Sequence, residues 1–152
     1  MNTYAKNTSV SSEASRAEIE RTLARYGADS FAYGWTKDRA VIGFEMSGRQ
    51  LRFTLPMPNR QDRRFTHTPA RGVERSASAA AAEYDKAVRQ QWRALALAIK
   101  AKLASVESGI VTFEAEFLAH FVLPGGSTVG DAVIPQMDEA LESGTMPRLE
   151  LE

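Results

Sequence analysis

Between Phe31 and Leu55 the chain alternates large apolar residues with smaller or polar ones, in three runs separated by two-residue breaks. Phe31, Tyr33 and Trp35 alternate with Ala32, Gly34 and Thr36. Ile42, Phe44 and Met46 alternate with Val41, Gly43 and Glu45, and Leu51, Phe53 and Leu55 with Gln50, Arg52 and Thr54. A period of two marks strands with one buried face. The breaks at Lys37-Asp38 and Ser47-Gly48 suit tight hairpins, and a two-residue turn fixes the register. Pairing Met46 with Arg49 sets Phe44 opposite Leu51 and Ile42 opposite Phe53. Pairing Thr36 with Arg39 sets Tyr33 opposite Ile42 and Phe31 opposite Phe44. Every large apolar residue then falls on one side, so the pattern predicts an antiparallel meander with one buried aromatic face. The other face is shallow and lightly charged. Its strand glycines either relieve crowding in a twisted sheet or admit another backbone or ligand. If that face is covered, the cover is a partner or a second copy, a homodimer.

Helical periodicity flanks the meander. Ser15 and Glu18 stand at capping-box spacing, Ile19, Leu23 and Tyr26 mark one face, and Gly27 supplies a left-handed stop, giving a helix over 16–26. A long helix over 78–107 carries Tyr84, Val88, Trp92, Leu95, Ile99, Leu103 and Val106 on a broad apolar stripe. A second arc of Ala87, Ala94, Ala98 and Ala101 suits close packing of another helix, and a third holds Lys86, Arg89, Arg93 and Lys100. Thr112 caps a helix over 113–123, and Pro124-Gly125-Gly126 ends it. A last helix spans 128–142, with Pro135 implying a kink or a late start. The expectation is a single α+β domain over 15–146 in the order α-β-β-β-α-α-α. It is flanked by a disordered polar arm over 1–14 and an acidic tail over 147–152.

The 152 residues contain no cysteine, which removes disulfides, thiol catalysis and cysteine-bound zinc. No apolar run approaches the roughly 18 residues of a membrane span, so a cytoplasmic protein without a membrane partner is expected. The 19 basic and 19 acidic side chains cancel overall but not locally. Residues 1–109 hold 18 basic and 11 acidic side chains, a net of +7; residues 110–152 hold one basic and eight acidic, a net of −7. The two ends either neutralise one another in the fold or face different partners.

Catalytic signatures are scarce: there is no Walker loop, GxGxxG, GxSxG or HExxH, and no cofactor is implied. Gly125-Gly126-Ser127-Thr128 reads as a helix cap. Glu116 and His120, four apart, read as a helical ion pair or a core histidine, since one short helix does not close a metal's coordination sphere. His67 between two threonines has no second copy to supply both acid and base. The richer constellation is basic. A long loop over 59–77 carries Arg60, Arg63, Arg64, Arg71 and Arg75 with Phe65 and His67 among them, and Arg89 and Arg93 follow on the long helix. Arginines neutralise phosphates, and exposed aromatics stack on unpaired bases. These nine residues are the candidate nucleic-acid surface. The competing readings are a solvated loop beside a charge-paired helix, and an acidic protein partner.

The stretch FAYGW–DRAVIGF, the HTPARG loop and the run RALALAIKAKLASVESGIVTFEAEFLAHFVLPGGSTVG together resemble a family of small proteins encoded by tailed bacteriophages. The resemblance covers most of 16–145 and implies a role in the infected bacterial cytoplasm. The order helix, meander, long helix also looks like the core of phage single-strand annealing proteins. The leading expectation is a non-enzymatic accessory protein of DNA metabolism that binds nucleic acid. The alternative is an interaction protein that blocks a host defence factor, and a small enzyme comes third.

Overall fold

The computed structural model describes residues 10–147. The chain is an α+β fold: α1 (Ser12–Arg25), β1 (Ser30–Trp35), β2 (Arg39–Met46), β3 (Arg49–Pro56), α2 (Arg63–Thr66), α3 (Ala77–Glu107), α4 (Phe113–Phe117) and α5 (Val129–Ser143). The three strands form one antiparallel sheet in the order β1-β2-β3. The register is the one the alternation predicts: Phe31 faces Phe44, Tyr33 faces Ile42, Phe44 faces Leu51 and Ile42 faces Phe53. Ser47 and Gly48 both take positive φ, 54° and 73°, as a tight turn between twisted strands requires.

Ile42, Phe44, Met46, Leu51 and Phe53 are buried on the inner face against Ile19 and Leu23 of α1, Trp92, Ala96, Ile99 and Leu103 of α3, and Phe117. Phe53 sits at the centre. It lies 6.1 Å from the Phe44 ring, meets Phe117 edge-on at 6.3 Å, and stacks on His120 with centroids 3.8 Å apart. On the outer face Ala32, Gly34, Glu45, Gln50 and Thr54 are exposed.

Several local expectations are corrected. Helix α1 begins at Ser12, so residues 12–14 are helical rather than part of an arm. The cap is Ser11, whose side chain accepts from the Ala14 N–H at 3.1 Å, while Ser15 is buried and Glu18 turns to Arg93. Residues 1–9 of the expected arm and 148–152 of the expected tail lie outside the described residues. The helix expected over 113–123 stops at Phe117, passes through a 3-10 turn at Leu118–His120, and becomes extended. Phe121 bridges to Leu51 and the Val122 N–H donates to the Gln50 carbonyl, so this segment covers part of the β3 edge. An aromatic and a β-branched residue ahead of Pro124 favour that extended course. Ala98 and Ala101 are exposed, so among the described residues no further helix uses that part of the alanine arc; α1 packs on α3 instead. Helix α5 runs through Pro135 unbroken, with the Gln136 side chain donating to the Ala132 carbonyl at 2.9 Å.

The buried layer predicts an asymmetry. Phe53→Ala should cost about 3–5 kcal/mol in urea unfolding, and Thr54→Ala on the open face should change stability by less than about 0.5 kcal/mol. Equal losses at the two positions would show that both faces of the sheet are covered.

A candidate nucleic-acid interface

The basic loop is wired to its own backbone. Asn59 accepts from the Gln61 N–H at 2.9 Å, Asp62 starts the single turn of α2, and His67 bridges to Glu74. Thr68 accepts from the Val73 N–H at 3.0 Å. Two side chains secure the loop. Phe65 is buried and meets Tyr84 of α3 edge-on at 5.6 Å. Arg75 donates to the Arg64 and Phe65 carbonyls at 2.8 and 3.1 Å and pairs with Glu83 at 3.4 Å. One apolar plug and one arginine clasp order a stretch whose composition reads as structureless.

This wiring redistributes the predicted site. Phe65, expected to stack on a base, has no exposed ring face, because it is the plug. Arg75 is committed to carbonyls and Glu83, and Arg93 to Glu18 of α1. Arg63 folds over Gly72, whose φ is 64° and where a Cβ would meet the guanidinium at 2.9 Å. Arg64 covers the Phe65 ring at 4.5 Å and lies 3.7 Å from Asp62. His67 binds the Thr66 hydroxyl at 2.7 Å through Nδ1. Arg71 is exposed, Arg89 is half-buried, and neither has an ion-pair partner among the described residues.

Arg60 alone among the nine lines a groove of about 600 Å³ between the β1 edge, the start of α1 and the first half of α3. Its walls carry stacked cations. Arg16 lies 4.5 Å from the Tyr33 ring centre and 5.1 Å from that of Trp92, and Arg60 lies 4.0 Å from that of Tyr84. Trp35 stands at its mouth, 71% exposed, with no ring contact or hydrogen bond from its indole among the described residues. Lys37 beside it is exposed and unpaired there too. A second hollow of about 340 Å³ adjoins through Lys37, Met57, Arg60 and Tyr84. Alternation alone places Tyr33 and Trp35 in the buried layer, whereas in the fold both are exposed and line this groove. The available signal was β1's place as an outer strand, hydrogen-bonded on one side only and so less covered toward its end.

The Glu116–His120 pair does not form. Helix α4 ends between them, so Glu116 pairs with Lys102 of α3 at 3.0 Å while His120 turns onto Phe53. Among the described residues no group of three or more His, Asp or Glu could hold a metal ion. No helix there is long and apolar enough to cross a membrane. Comparison of the chain with protein-family models, curated proteins and solved structures gives no match.

Two outcomes follow from these contacts. Arg75→Ala should speed thermolysin cleavage ahead of Phe65 several-fold, while Arg71→Ala leaves the rate unchanged; equal rates in both would remove the clasp. Burial, then the positive charge of Lys102, holds the His120 pKa below its ordinary 6.5, with a hydrogen bond to the Arg52 backbone acting the other way. The unfolded chain therefore takes up this proton more readily than the folded one. The stabilisation is complete above about pH 6.5 and is lost as pH falls through the lower folded value. The stability difference between wild type and His120→Phe should shift against wild type over that interval. A difference independent of pH would show that His120 does not titrate differently on folding.

Proposed function

We propose that this chain is a non-enzymatic, phage-type accessory protein that binds single-stranded nucleic acid. The observation that carries the reading is the exposed indole of Trp35 at the mouth of a groove supplied with cations. An unpartnered aromatic at such a place is costly to leave in water and suited to stacking on an unpaired base, which offers a π-face whatever its identity. Lys37 and Arg60, free of ion pairs among the described residues, supply positive charge for the phosphates on either side of that base. Glu13 and Asp85 also line the groove, so affinity rests on stacking as well as on charge. Arg71 and Arg89 add to the positive field that draws a polyanion in. A base in a duplex is hidden from such a platform, which favours single strands. The resemblance of the sequence to small tailed-phage proteins supplies the setting, DNA metabolism in an infected bacterial cytoplasm.

The test is anisotropy of labelled dT20 and U20 across a salt series. Trp35→Ala should weaken binding by about 1–3 kcal/mol. Lys37→Ala with Arg60→Ala should flatten the salt slope by roughly 1.4 units, and Phe65→Ala should act only through stability. Absence of binding to either oligomer at low salt would overturn the reading, and binding unchanged in Trp35→Ala would remove the groove from it.

A further inference from the structure

Among the described residues, helix α5 is anchored chiefly through its first turn. The Thr128 side chain caps it through the Asp131 N–H at 3.1 Å, the Val129 N–H donates to the Phe121 carbonyl, and Gly130 packs so closely on Ala119 that a Cβ would lie 3.0 Å from its carbonyl oxygen. Gly130 is the helix's one buried residue. Beyond it Ile134, Met137 and Leu141, at steps of three and four, form an apolar stripe 58%, 42% and 78% exposed. At 100° per residue, Asp131, Asp138 and Glu142 form a row along one flank of that stripe. Among the described residues none of the three has an ion-pair partner.

We propose that α5 is a docking helix for another protein, and that its partner presents an amphipathic helix whose apolar stripe is bordered by lysine or arginine on the side that meets Asp131, Asp138 and Glu142. Charge selects this occupant. A second copy of α5, packed antiparallel, would set the acidic row against itself, and like charges across an interface oppose association. A membrane surface attracts helices with basic flanks, and this flank is acidic. A basic-bordered helix satisfies both the stripe and the row, in the manner of knobs-into-holes pairs with charged borders. The inference does not depend on nucleic-acid binding.

The probes are two 21-residue synthetic helices with the same leucine stripe, one flanked by lysine and one by glutamate, titrated against the full chain by calorimetry. The lysine-flanked peptide should bind about tenfold or more tighter than the glutamate-flanked one, with the gap closing as salt rises. Leu141→Asp and Ile134→Asp should each abolish binding. Both add negative charge, which would strengthen a purely electrostatic attraction, so loss reads the apolar contact; both sites are exposed, which leaves the fold intact. Asp138→Lys with Glu142→Lys should reverse the preference between peptides, and Trp35→Ala should leave it unaltered. Equal binding of the two peptides, or full binding by Leu141→Asp, would overturn the proposal. So would self-association in sedimentation velocity that Leu141→Asp abolishes, because a second copy would then be the occupant.

Discussion

With β2 held in place, a slip of one residue in its pairing with β3 would turn Leu51 and Phe53 to solvent and bring Arg52 and Thr54 inward beneath Ile42 and Phe44, because strand side chains alternate strictly. The Ser47–Gly48 turn, with positive φ at both positions, forbids that slip. Everything packed on the inner face depends on the result. Trp92, Ile99 and Leu103 lie along one side of α3 because a continuous aromatic layer is there to receive them. Phe53 carries the layer further: through His120 and Phe117 it holds the segment that edges β3, and so the point from which α5 leaves.

The parts of the structure written in periodicity were legible from residues alone. The meander, its register, and helices α1, α3 and α5 each rest on many residues that repeat a pattern, and no single contact decides them. Where one contact decides, the sequence was silent. Phe65 looks like any aromatic in a polar loop until Tyr84 is seen to receive it, and Arg75 looks like any cation until two carbonyls and Glu83 are placed around it. The break in the helix after Phe117 has the same origin. Its apolar residues fit helical spacing, and a pairing with Leu51, distant in sequence, overrides it. Of the candidate site, Arg60 was reached for its charge, whereas Trp35 was missed because alternation fixes which side of a strand a residue faces and not whether anything covers it there.

Among the described residues, close ion pairs form mostly within the basic part of the chain. Arg16–Glu13, Arg64–Asp62, Arg75–Glu83 and Arg93–Glu18 all lie inside the basic part of the chain. Among the described residues Lys102–Glu116 is the one ion pair that joins it to the acidic part.

The single-turn attachment of α5 has an evolutionary consequence. Beyond Gly130 none of its residues is fully buried, so substitutions along its exposed stripe escape the packing constraint that governs Ile42 or Phe53. Sequence change there is filtered by whatever α5 touches, while the sheet and α3 are filtered by folding. Related chains should therefore diverge at two tempos, slowly through the meander and quickly along Ile134, Met137 and Leu141, with the small residue at 130 tied to the slow part.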